Sequence, residues 1–266
     1  PTDFKGLTPR LLVKEGDRVL AGSPVLADKK NPDILVTSPV SGTVSEVVRG
    51  EKRKLLEVKI KADGQQEYVD FGSHKVSEMT ADDVKELLLK SGLWAGLVQR
   101  PYGIVADPSA EPKAIFVSAF STAPLAASPE FALKDDFDNV QAAVNALGKL
   151  TKGGVHVSLS IDNFSGSPFH KLENVIQHIV SGKHPAGNVG VQISHISPIM
   201  KGETVWTVSL LLLAAIGKLL NTGRLNLARK VAVTGPKAID PAYVDALPGI
   251  SMKDIAEFYD NSANDI

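Results

Sequence analysis

The sequence contains no cysteine. That excludes disulfides, thiolate-bound zinc, thiol nucleophiles and cysteine-held iron–sulfur clusters within the chain. Charge bias is missing too. With 29 basic and 30 acidic residues the net charge is −1, so nothing draws the chain generally to nucleic acid. The uncharged apolar stretch Thr204–Gly217 falls short of the roughly 18–20 residues a helix needs to span a bilayer. No secretory signal pattern opens the chain, and Pro1–Phe4 reads like the middle of something longer. The expectation is a fragment. What is present is ordinary for a globular protein: 43% hydrophobic and 22% charged residues, in a length that fits one large domain or two smaller ones.

Charge is nevertheless uneven. Residues 1–61 hold twelve Lys/Arg against eight Asp/Glu. Part of the excess is local, in Arg49-Gly50-Glu51-Lys52-Arg53-Lys54. Two readings stand there: a solvated hairpin end, or an interaction patch for a partner or anionic lipid.

Residues 7–62 read as β structure. Short runs at 10–13, 24–26, 34–37, 43–48 and 55–60 are separated by Gly and Pro turn signals, which implies a small barrel or sandwich. From residue 80 helices and strands alternate. Thr80 with Asp83 forms a capping-box pattern ahead of Val84, Leu87 and Leu88, and Gly92 stops that helix. Residues 114–119 and 155–160 are strand candidates. Val140, Val144 and Leu147 mark a second helix. Leu172, Val175, Ile176 and Ile179 mark a third, followed by a strand over 191–193. Residues 205–220 turn from strand into helix, and Lys230–Thr234 is one more strand. Such alternation predicts a doubly wound, mostly parallel sheet. The expected division is a β module over 1–66, an α/β domain over 67–235, and over 236–266 the start of a further domain with a short helix near 251–259.

Catalytic signatures are scarce. No G-x-G-x-x-G follows a predicted strand, and Ser181-Gly182-Lys183-His184 is not a P-loop. Gly182, Gly187 and Gly190 suit either a crossover loop or a ligand loop. His170 and His178, with Glu173 between them on the predicted third helix, are loosely placed for zinc and fit a solvated face. His156 falls in a strand as a core or sheet-face residue. Ser165-Gly166-Ser167 is no nucleophile elbow. The chain therefore reads as a protein that works by binding.

Two resemblances sharpen this reading. Val13-Lys-Glu-Gly16-Asp17-Arg-Val19, Gly22-Ser-Pro24-Val-Leu26 and Thr37-Ser-Pro39-Val-Ser-Gly42-Thr-Val44 resemble the biotinyl/lipoyl carrier fold. The carrier lysine is expected about eight residues before the proline, at Asn31, beside Lys30. With the wrong residue and flanks there, the module reads as structural. The second resemblance covers essentially the whole chain. It rests on Phe71-Gly72-Ser-His74, Leu87–Trp94, Gln99-Arg100-Pro101-Tyr102, Ala114–Ala119, His184-Pro185-Ala-Gly187, Thr204-Val-Trp206 and Ala215–Lys218. These look like the NqrA component of the bacterial sodium-translocating NADH:quinone oxidoreductase (Na+-NQR).

That resemblance implies a peripheral subunit on the cytoplasmic face of a six-subunit membrane complex. The complex takes electrons from NADH to ubiquinone and exports sodium. NADH, the flavins and the iron–sulfur centre would belong to other subunits, with no redox cofactor and no metal in this chain. A docking or scaffold role and a quinone-binding role are implied for this component. The fold is similar to the flavin- and NADH-binding subunit of complex I. Its glycine-rich flavin loop is replaced here by Ser91-Gly92-Leu93-Trp94-Ala95-Gly96-Leu97, where Leu93 and Trp94 stand in place of glycines. For a quinone, Phe120 and Phe164 are candidate ring contacts, and His184 or Arg100 a candidate donor; the other reading is core aromatics and a loop cap. The alternative to the whole assignment is an unrelated carrier whose Lys29 or Lys30 bears a biotinyl or lipoyl group, which intact mass would reveal.

Overall fold

Gly and Pro cut the first sixty residues into six short strands. They are β1 (Pro9–Leu11), β2 (Arg18–Val19), β3 (Pro24–Asp28), β4 (Leu35–Thr37), β5 (Gly42–Arg49) and β6 (Leu55–Ala62). The structure, a computed structural model, describes residues 3–251 and 253–255. Two three-stranded antiparallel sheets, β1-β3-β4 and β2-β5-β6, make up the expected sandwich. Val25, Leu26 and Leu55 are its small buried centre. Gly42 is obligatory at the start of β5, because a Cβ there would lie 2.2 Å from the Lys61 carbonyl oxygen. Lys29 and Lys30 sit exposed between β3 and β4, where a carrier lysine would sit.

The second part begins with α1 (Ala81–Ser91). Its capping box is present: the Thr80 hydroxyl accepts from the Asp83 amide at 3.2 Å, and Asp83 Oδ2 accepts from the Thr80 amide at 2.7 Å. Gly92, at φ +80°, closes the helix. There follow β7 (Val98–Arg100), β8 (Ile104–Val105), β9 (Ile115–Ser118), α2 (Pro129–Ala132), α3 (Phe137–Leu147), β10 (Val155–Ser160) and β11 (Ile176–Val180). Then come α4 (Val189–Ile196), β12 (Val205–Thr207) and α5 (Leu210–Thr222). One mixed sheet runs in the order β11-β10-β9-β12-β7-β8. Its first four strands are parallel, and β7 and β8 extend it antiparallel.

Period-2 alternation divides the sheet into two faces. Ile115, Val117, Val157, Leu159 and Trp206 face the main core, which α1, α3 and α5 cover. Ala114, Phe116 and Val205 face Ile193 of α4. Helices on both faces define the α/β class the sequence predicts. Helices α3 and α5 approach so closely that a Cβ on Gly217 would lie 1.9 Å from the Asn139 carbonyl oxygen.

Three local expectations are corrected. The third helix, read from Leu172 to Ile179, is a loop followed by strand β11, in register with β10 from His156↔Ile176 to Ser160↔Val180. The strand read over 191–193 is part of α4, whose Val189, Ile193 and Ile196 lie on one helical stripe against Phe116. The strand at 230–234 does not join the main sheet. It is β13 (Arg229–Val233), paired only with β14 (Ala242–Ala246). The helix expected near 251–259 lies mostly outside the described residues, with 253–255 in a single 3-10 turn.

Candidate functional site

In an open α/β sheet, ligands gather beyond the carboxyl ends of the strands where the winding reverses. From β9 the chain moves outward to β10 and β11, then returns across the sheet through α4 to β12. The reversal therefore falls between β9 and β12. A separate cavity of about 460 Å³ lies along α5, between that helix, the connection from α2 to α3, and the segment from Asn226 into the paired strands β13 and β14. Leu133 follows α2, Ser209 caps α5, and Leu212 and Ala215 lie on α5. Gly96, Arg229 and Pro248 also line it. The floor is apolar and the rim charged. Two rim pairs are neutralised, Lys218 with Asp136 at 3.0 Å and Lys230 with Asp245 at 3.0 Å.

A second cluster joins the loops after β9 and β11. The Ser118 hydroxyl lies 3.0 Å from the carbonyl oxygens of both Phe120 and Gly187 and shares its one proton between them. Gln192, buried in α4, donates to Ser118 Oγ and to the Ala186 carbonyl oxygen. The Gly187 amide donates to Thr122 Oγ1, which lies 3.3 Å from His184 Nδ1. A Cβ on Gly187 would lie 2.6 Å from the Thr122 amide nitrogen, so the two loops meet backbone to backbone.

The structure thus brings Phe120 and His184 into neighbouring loops, Phe120 half-buried and His184 exposed. Loop 183–187 follows a strand rather than the helix that was expected. Phe164, half-buried after β10, packs against the main core, its ring 5.5 Å from the His170 ring. Arg100 is separated from all three. It pairs with Val205 at the amino end of β12, the opposite end of the parallel strands. Its Nε is buried without a hydrogen-bond partner.

Correcting the third helix also moves two histidines. His170 lies before β11 and His178 within it, so they share no helix face. His178 instead stands beside His156, with His156 Nδ1 2.8 Å from His178 Nε2 and the rings nearly coplanar. His156 Nε2 faces the Gly153 carbonyl oxygen, an acceptor only, at 3.2 Å. In the neutral pair, then, His156 carries its proton on Nε2 and accepts from His178 Nε2–H. Burial holds both imidazoles below their ordinary pKa, and for His156 the neighbouring His178 adds to the effect. No group of three or more metal-ligating side chains occurs among the described residues.

The segment that replaces the flavin loop is packed as core. Trp94 is fully buried, edge-on to Trp206 with centroids 5.3 Å apart, and its indole N–H donates to the Ala106 carbonyl oxygen. Leu93, Ala95 and Leu97 are buried beside it. Such a segment does not fit a flavin, since its backbone is screened from close approach by its own side chains.

A barrel-sandwich module joined to a two-faced α/β sheet defines a two-module α/β protein. Comparison places it further. Residues 1–63 match the NqrA N-terminal barrel-sandwich hybrid domain, and residues 79–225 match the NqrA second alpha/beta domain. The chain belongs to the NqrA family. Among curated relatives, the NqrA component of the Na(+)-translocating NADH-quinone reductase of Pseudomonas aeruginosa is 37% identical over 256 residues, covering 96% of this chain and 57% of its own. The same component from Alcanivorax borkumensis is 36% identical over 262 residues, with 96% and 57% covered. That from Histophilus somni is 35% identical over 257 residues, again covering 96% of this chain and 57% of its own. The chain thus spans a little over half the length of these relatives. Among the described residues no helix is long and apolar enough to cross a membrane.

Proposed function

We propose that this chain is part of a peripheral subunit of a membrane-bound NADH:ubiquinone reductase that couples electron transfer to sodium export. One observation carries the reading: two NqrA domain descriptions match in chain order, and relatives named as components of a Na(+)-translocating NADH-quinone reductase cover 96% of the chain. In this reading the protein sits on the cytoplasmic face of a six-subunit complex. It supplies docking surface and a quinone contact, while NADH, flavins and the iron–sulfur centre are held by other subunits. The core packing of Trp94 supports the absence of a flavin from this chain. The division at residues 66 and 235 belongs to the same proposal.

For the quinone, the meeting of loops 120–124 and 183–187 supports Phe120 and His184 as ring contact and donor, with Phe164 on the adjoining loop. Arg100, at the far end of the strands, is not part of that group. The cavity along α5 is a second reading, favoured by its volume and its apolar floor of Leu133, Leu212 and Ala215. The test uses the whole complex, with NADH-driven quinone reduction as the readout. Phe120→Ala and His184→Ala are expected to raise the quinone KM or weaken inhibition by quinone-site inhibitors. Leu212→Trp, which fills the cavity, does so only if the second reading holds. Normal assembly with all three variants behaving as wild type would remove a quinone role from this part of the protein. Loss of quinone reduction on deleting the protein, restored by re-expression, tests the broader reading.

A further inference from the structure

The β5–β6 ribbon differs in charge between its stem and its tip. Along the stem, the cations Lys59 and Lys61 are matched in number by Glu46 and Glu57, although Lys61 makes no ion pair among the described residues. Lys59 pairs with Glu46 at 2.8 Å and contacts Glu57 at 4.0 Å, and Arg18, on β2, bridges Asp63 and Glu67. At the tip they are not. Arg49, Lys52, Arg53 and Lys54 crowd around one carboxylate, Glu51, and none of the four has an ion-pair partner among the described residues. Among those residues, the only side-chain hydrogen bond from these cations is Arg49 Nη1 to the Arg53 carbonyl oxygen at 3.2 Å, which ties the turn rather than neutralising it.

The backbone singles out the same place. Lys52 and Arg53 have φ of +53° and +60°, consecutive left-handed positions that a glycine or asparagine would occupy more easily. Backbone positions of this kind cluster at functional sites. The ribbon also outruns its sheet. Strand β2 pairs only at Gly42 and Thr43, so beyond Val47 and Val58 the hairpin has no third strand. Residues 51–54 are all exposed, with half-exposed Leu56 beside them. A convex, unpaired cationic point with one apolar flank has no concavity to select a peptide sequence. It suits a planar surface of diffuse negative charge.

We propose that the β5–β6 tip docks on the headgroups of anionic phospholipid. Lys52, Arg53 and Lys54 supply the attraction and Leu56 the shallow apolar contact. Each cation near such a surface contributes roughly a fivefold gain in partitioning. The inference does not depend on the quinone reading. The test is co-sedimentation of the full chain with phosphatidylcholine vesicles made with or without phosphatidylglycerol. Binding is expected only with phosphatidylglycerol, and is expected to weaken between about 0.1 M and about 0.5 M NaCl as charge is screened. The triple variant Lys52→Gln/Arg53→Gln/Lys54→Gln is expected to lose about 100-fold in partition coefficient at low salt. Its circular dichroism and melting should stay at wild-type values. A control, Lys149→Gln/Lys152→Gln/Lys171→Gln, removes exposed lysines from the second module and should bind normally. Equal binding to neutral vesicles, no binding to anionic ones, or equal losses in both triple variants would overturn the proposal. So would a tip variant that binds vesicles normally but no longer co-purifies with the membrane complex, since the tip would then serve a protein partner.

Discussion

The two modules reach a folded state by different means. The α/β domain has a continuous core in which Trp94, Trp206, Leu213, Ile216 and Leu219 are fully buried. The sandwich has three buried residues in its own cluster, Val25, Leu26 and Leu55. Val19, Ala21, Ala27 and Val44 are buried outside that cluster, and further burial is borrowed. Ile34 and Val36 pack into the large core, as do Phe4 and Leu7 from the chain's start, and Thr37 Oγ1 donates to the Ser91 carbonyl oxygen at 2.8 Å. A domain of about sixty residues buries too small a share of its surface to be robust by itself. The difference teaches that the sandwich is stabilised by its seat on the α/β domain as much as by its own interior.

The largest expected effect tests that asymmetry. Trp94→Ala removes the edge-on partner of Trp206 and an indole hydrogen bond, and is expected to cost about 3–5 kcal/mol in urea unfolding. Protection from amide exchange should fall in both modules. Leu26→Ala is expected to cost about 2–3 kcal/mol, with protection lost only in the sandwich. If Leu26→Ala also exposes β9 and β10 amides, the modules unfold as one unit and the comparison fails.

The contact between modules comes next. Gly92 adopts φ +80°, and a Cβ there would lie 2.7 Å from Thr37 Oγ1. Gly92→Ala combines backbone strain with a clash across the seam, for about 1–3 kcal/mol. Limited proteolysis should then open the segment between β6 and α1 faster than in wild type. An unchanged cleavage rate would show that the seam does not hold the sandwich.

Removing the cap from α1 is a smaller change inside one module. Thr80→Ala is expected to cost about 1 kcal/mol, and Thr80→Ser to restore most of it, read from the urea midpoint.

Acid response should come mostly from one side. The sandwich residues 1–66 contain no histidine, whereas His156 and His178 face each other in the α/β sheet. Burial lowers the folded-state pKa of both, so below the ordinary value of about 6.5 the unfolded chain binds more protons. Stability is therefore full above that pH and declines as pH falls through it. Equilibrium unfolding at about pH 7.5 and about pH 5.5 should show the decline, and His178→Gln should shrink it. An equal slope in the variant would place the acid sensitivity elsewhere. Asp83 and Glu203, held low by hydrogen bonds from the Thr80 amide and from Lys113 respectively, act only in the more acidic carboxylate range.

The local chemistry of the chain determined a good deal unaided. Thr80, Asp83 and Gly92 fix both ends of α1 because capping acts within a single turn. The Gly and Pro spacing announced five of the six strands of the sandwich because turn residues act locally, and missed only the two-residue β2 (Arg18–Val19). Valine and leucine at helical spacing over 140–147 sufficed for α3. The tertiary structure decided what those rules leave degenerate. Leu172, Val175, Ile176 and Ile179 fit a helical stripe, but pairing along β10 satisfies the backbone of Ile176–Val180 as a strand and leaves Ile176 and Ile179 exposed at the sheet edge. Val191–Ile193 has the composition of a strand and becomes helix because Val189, Ile193 and Ile196 can cover Phe116 together. Strand order placed Arg100 at the far end from His184 and assembled the His156–His178 pair from positions twenty-two residues apart. A short apolar segment carries both periods, and only the non-local partner that buries it selects between them.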